Sequence, residues 1–221
     1  MGKWFVQDSS FMRFLGKVTD LMILNLLTLL FSLPLVTIGA SLTAMHYCLL
    51  RIHRNEEGYL TKDFLHSFKQ NFKQGTIIWL FFVFIFALIG WNFYVANQMG
   101  MPEGFYTVLA ILLVVLYAAF LYVFPLLSHF ENSVKTTISN AVKMVVVWFF
   151  PQTVCMLIIT IGFGFLYYKL PIFLALFIIL FGITVPAYLC TMLYHNAFLK
   201  LENIGDEENE DTEDIEDEKR S

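Results

Sequence analysis

The chain has 221 residues, 58% hydrophobic and 14% charged, with a mean hydropathy of +0.67 and a formal net charge of −4. Soluble domains carry about 25% charged residues, so this balance excludes an ordinary soluble fold. Cys48, Cys155 and Cys190 lie in uncharged stretches at spacings that match no zinc or redox motif, and read as small buried side chains.

In chain order, five stretches contain no Asp, Glu, Lys or Arg: 21–50, 74–102, 104–130, 144–168 and 170–199. Each exceeds the ~20 residues a helix needs to cross a bilayer. A membrane β-barrel would alternate polar and apolar positions instead. The pattern predicts an all-α, polytopic transmembrane bundle of five or six membrane helices. No cleavable signal peptide is expected, because the first apolar run begins only after Arg13, Lys17 and Asp20.

As one straight helix the first run would be about 45 Å long, against a hydrocarbon core of about 30 Å. Pro34 lies in its middle, where it removes a backbone donor and disfavours helix at the residue before it. The segment 14–50 is therefore expected to be a broken pair, re-entrant or hairpin, hinged between Pro34 and Gly39. Thr37 or Ser41 would cap the second arm. The Lys/Arg distribution agrees. With five single spans, ten basic residues fall on one side and four on the other, whereas a returning first segment gives thirteen against one. Both termini are then expected on the cytoplasmic side.

Residues 61–73 place Phe64, Leu65, Phe68 and Phe72 at helical spacing, with Lys62, Lys69 and Lys73 between them. This predicts an amphipathic cytoplasmic helix along the membrane surface or against the bundle, a partner-docking element carried by Phe64, Phe68, Lys69, Phe72 and Lys73. Further spans are expected over 75–98, 105–129, 145–168 and 171–197, with a second short amphipathic segment at 131–143. Trp79, Trp148, Tyr106, Tyr167 and Tyr168 fall at belt positions. Residues 1–201 read as one domain. Residues 202–221 hold eleven of the eighteen acidic groups and read as a disordered cytoplasmic tail, leaving a body of net charge +5.

Candidate functional residues are few. Pro34, Pro125 and Pro186 each interrupt an apolar run, and broken membrane helices expose backbone groups that can coordinate a substrate. Plain packing kinks are the more ordinary reading. His46, His129 and His195 fall near one side, where local hydrogen bonding outweighs proton relay or metal binding. Asn25 and Asn92 read as interhelical links, and Gly162 with Gly164 as a packing or hinge site. The sequence contains no nucleophile constellation, phosphate loop or metal-ligand spacing. No catalytic residue, metal, cofactor or nucleic-acid partner is expected.

Three stretches resemble the YesL family of bacterial membrane proteins: NLLTLLFSLPLVTIGASLTAMHY from Asn25 to Tyr47, EEGY from Glu56 to Tyr59, and DFLHSFKQNFKQ from Asp63 to Gln74. The acidic tail falls outside the resemblance. The family has no assigned catalysis, and its genes often accompany carbohydrate uptake systems. The resemblance implies a non-enzymatic protein of the bacterial cell membrane, an accessory or partner of a sugar transporter. The alternative is a small stand-alone permease acting as a homo-oligomer. No binding residue carries over from the family.

Overall fold

A computed structural model describes residues 10–56, 58–130, 133–145, 150–169, 179–195 and 198. The acidic tail, Asn196 and Trp148 lie outside the described residues. The elements among them are helical: α1 (Ser10–Phe31), a 3-10 turn (Leu35–Thr37), α2 (Ile38–Arg54), α3 (Leu60–Met99), α4 (Glu103–His129), α5 (Val134–Lys143) and α6 (Phe150–Lys169). A seventh helix, α7 (Ile179–His195), is interrupted at Gly182–Ile183. Five helices are long and apolar enough to cross a membrane: α1, α2 with its preceding turn, α3, α4 and α6.

The first apolar run is a hairpin. Helix α1 ends at Phe31 and the chain turns through Ser32, Leu33 and Pro34. The expected capping roles change. Thr37 stands at the N-cap of α2 but gives no cap bond to it. Its hydroxyl donates back to Phe31 O at 2.6 Å, a carbonyl at the end of α1, and to Pro34 O at 2.8 Å, which also accepts from Thr37 N. Ser41 Oγ donates to Thr28 O at 2.9 Å, which ties the two arms together. Gly39 is not the flexible hinge expected of it. It is a buried residue of the first turn of α2, packed against Gly75. A Cβ on Gly39 would collide with Gly75 O and lie 2.6 Å from Trp79 Cβ, and one on Gly75 would lie 3.0 Å from the Ala40 backbone. The two glycines let the helix backbones touch.

The amphipathic helix is not a separate element. Residues 61–73 are the first part of α3, which runs unbroken for 40 residues, about 60 Å. Nothing in 74–76 stops a helix, since Gly75 lowers propensity only modestly and no proline intervenes. Helix α3 ends at Gly100, whose φ of 62° supplies a left-handed cap.

Helix α2 returns along this arm. The α2–α3 loop is held by Asn55 in the left-handed region (φ 55°) and by Arg51, which bonds Glu56 at 3.1 Å and Asp63 at 2.7 Å. Phe64 is buried, and Phe31 packs on Phe64 and Phe68 with ring centroids 5.5 and 4.9 Å apart. At the hairpin tip, Trp79 Nε1 donates to Leu35 O at 2.9 Å. The tip therefore stops beside Trp79, and α3 continues for twenty residues, about 30 Å, beyond it. The hairpin therefore reaches only about half-way along α3.

Helix α4 returns antiparallel to α3, and Phe120 meets Trp79, Phe82, Phe86 and Phe124 at centroid distances of 5.2–6.1 Å. Tyr122 shares a hydrogen bond of 3.0 Å with Thr153 of α6. Ser133 caps α5, its hydroxyl oxygen accepting from Thr136 N. Outward faces of α3, α4 and α6 carry large exposed apolar side chains, among them Phe84, Trp91, Val108, Ile111, Ile158 and Phe165, as lipid contact requires.

Candidate functional site

The break in α7 is where backbone groups come free, and four of those around it are met by side chains. Pro186 lacks the N–H that would bond Gly182 O, and the Tyr167 hydroxyl donates to that carbonyl at 2.6 Å instead. Asn25, fully buried in α1, donates to Ile179 O at 2.6 Å and accepts from Ile183 N at 3.0 Å and Thr184 N at 3.1 Å. Thr184 Oγ1 returns a bond to Leu21 O at 3.1 Å. Asn25 is thus the interhelical link expected of it. The break itself lies at Gly182–Ile183, so Pro186 sits in the first turn after it, where proline costs little.

The other prolines also lie away from any broken-helix ligand site. Pro34 is exposed at the hairpin tip between Leu33 and Leu35, each 75% exposed. Pro125 is buried within α4, and Ser128 Oγ donates to its carbonyl at 2.7 Å. Gly162 and Gly164 have open space around them, so neither makes the packing contact expected of that pair.

The three histidines do gather at one end, His46 and His129 against α7 and the residue Phe198 beyond it, and His195 of α7 against α2. His195 meets His53 edge-on at 4.8 Å, and His129 stacks on Phe198 at 5.4 Å. His46 Nδ1 lies 3.1 Å from Tyr194 Oη, which lies 2.9 Å from Thr191 Oγ1. Thr191 spends its hydrogen on Ala187 O at 2.9 Å. Counting hydrogens along the chain, Tyr194 donates to Thr191 and accepts from His46 Nδ1–H. Neutral His46 then keeps its lone pair at Nε2. Among the described residues no group of three or more His, Cys, Asp or Glu side chains comes together.

Among the concave spaces of the described residues, two adjoin candidate residues. A pocket of 240 Å³ lies between α2, α4, α6 and α7, lined by His46, Phe120, Met156, Pro186 and Cys190 among others. Its walls are mostly apolar, and the Thr160 hydroxyl within it is already donated to Met156 O. The larger space is a cleft of 670 Å³ between α2, the polar half of α3, the end of α4 and the start of α5. Its lining is Tyr47, Gln70, Asn71, Gln74, Leu127, Ser128, His129, Phe130 and Ser133.

Of the expected site residues, this cleft takes only His129. Gln70, Asn71 and Gln74 passed unnoticed beside the Phe/Lys pattern of 61–73, although three amides at positions i, i+1 and i+4 share a helix face. Phe64 faces inward, and Phe68 is partly buried against Phe31. The docking face expected of this helix therefore narrows to Lys69, Phe72 and Lys73, all exposed.

Residues 21–93, which hold the second half of α1, all of α2 and most of α3, match the family described as "Protein of unknown function, DUF624". No curated protein and no solved structure matches the chain.

Proposed function

We propose that this chain is a non-enzymatic multi-pass protein of the bacterial cell membrane that serves as an accessory or partner component of a carbohydrate transport system. The observation that carries the reading is the polar half of α3. Residues 60–75 extend the helix past its apolar part. One side is covered by the α1–α2 hairpin and the other presents Lys69, Phe72 and Lys73. Such a rigid arm suits docking to a neighbour at the membrane surface. The resemblance to the YesL family falls on the same hairpin and arm, and supplies the association with sugar uptake. The gathering of basic residues near the arm supports placing this end and both termini in the cytoplasm.

A stand-alone permease is the second reading, favoured by the pocket beside His46 and Pro186. It is the weaker of the two. Four backbone groups around the break in α7 are already bonded to side chains, and mostly apolar walls suit a polyhydroxylated cargo poorly.

Co-purification separates these readings. A tagged chain drawn from native membranes should bring a transporter subunit with it, and charge reversal at Lys69 and Lys73 should reduce that recovery. Recovery of no transporter component, together with sugar flux by the purified chain in liposomes, would establish the permease reading instead.

A further inference from the structure

We infer that the 670 Å³ cleft is a binding site for a neutral polyhydroxylated molecule, a saccharide of two or three rings. Its volume is in the range of small-molecule sites, about 300–1,000 Å³. Among the described residues its lining includes no Lys, Arg, Asp or Glu, even though Lys69 and Lys73 stand exposed on the same helix next to Gln70 and Gln74. Neither lysine lines the cleft, although Lys73 follows Gln70 by three residues. An anionic ligand would be expected to meet them, and a neutral one would not.

The polar groups suit hydroxyls. A carboxamide offers two donors and an acceptor oxygen, and vicinal hydroxyls both donate and accept. Gln70 and Gln74 are one turn apart, and among the described residues neither side chain has a hydrogen-bond partner. Asn71 is steadied by its own helix, its Nδ2 donating to Ser67 O at 3.2 Å. Across the cleft are Ser128 and Ser133, and the rings of Tyr47 and Phe130 supply apolar faces for the C–H side of a sugar ring.

The inference stands on the cleft and survives if the transporter partnership fails. If both hold, the cleft gives the accessory protein a way to sense the sugar being carried.

The test is saturation-transfer NMR on the full chain in lipid nanodiscs free of glycoside detergent. Maltotriose and raffinose are the neutral probes, and trigalacturonate is the charged control. The account predicts saturation transfer to the neutral trisaccharides and little to trigalacturonate. Gln70→Ala with Gln74→Ala should weaken binding about tenfold or more, by removing two hydrogen-bonding groups, with the melting temperature preserved. Gln74→Glu alone, which keeps the shape and adds a charge, should weaken neutral binding as well. Absence of transfer to both neutral probes, equal transfer to trigalacturonate, or unchanged binding in folded variants would overturn the assignment.

Discussion

Gly39 shows how one position decides the seating of the hairpin. Its missing side chain lets α2 rest on the backbone of α3 at Gly75, where any Cβ meets backbone atoms that cannot move aside. Gly39→Val should destabilise the fold by about 1–3 kcal/mol or more, as overpacking does. Gly162→Ala, in open space on α6, should be neutral or stabilising by up to about 1 kcal/mol. Thermal melts in one detergent compare the two, and equal losses would refute the close-contact account. Asn25 makes the complementary case. Asn25→Leu leaves Ile183 N, Thr184 N and Ile179 O without their partner, at a cost on the order of 1–3 kcal/mol per buried group. Tyr167→Phe should cost less, since it strips a single bond from Gly182 O. If Asn25→Leu melts with the parent, the break in α7 is held by something else. Asn25 was legible from the sequence as a polar residue in an apolar run. Its partners were not, because they are backbone groups 154 to 159 residues away, and composition carries no trace of so distant a pairing.

At the scale of elements, the hairpin and the arm of α3 form one unit. Sequence reasoning located the turn from Pro34 and from the balance of basic residues, because a proline and a charge count are local and additive. It separated 61–73 from the following span, because a change from amphipathic to uniformly apolar looks like a boundary. Backbone hydrogen bonding ignores that change, and α3 runs through it. Phe64 and Phe68 were read as an exposed docking face for the same reason. An apolar stripe shows that something covers it, and here the cover is Phe31 of the same chain. The amide cleft is not legible in the sequence because its walls come from three stretches, Tyr47, the amides of α3 and residues 127–133, that lie far apart along the chain. The tie at the tip is a single bond, from Trp79 Nε1 to Leu35 O. Trp79→Phe keeps an aromatic ring against Phe120 and removes that donor. It should cost about 1 kcal/mol and raise hydrogen exchange in the 32–37 turn while leaving α4 protected. Unchanged exchange in the turn would show that the tip is held without Trp79.

At the scale of the whole molecule, polarity follows length along α3. Its first part carries Lys62, Asp63, Lys69 and Lys73 and is flanked by α2, whereas from Ile77 onward its outer face is apolar and exposed. The hairpin accompanies the first part and ends where the second begins. A chain that is apolar over 21–50 thus enters beside α3 and turns back early, with Leu33, Leu35 and Val36 exposed at the tip to contact lipid. That the hairpin stops half-way along α3 is the central claim, and a distance between spin labels at Val36→Cys and Met101→Cys tests it without reference to membrane orientation. With Cys48, Cys155 and Cys190 replaced, the labels should lie about 30 Å or more apart, the length of α3 from Trp79 to Met99. A distance below about 20 Å would place the tip beside the far end of a membrane-crossing helix of about 30 Å and contradict the account.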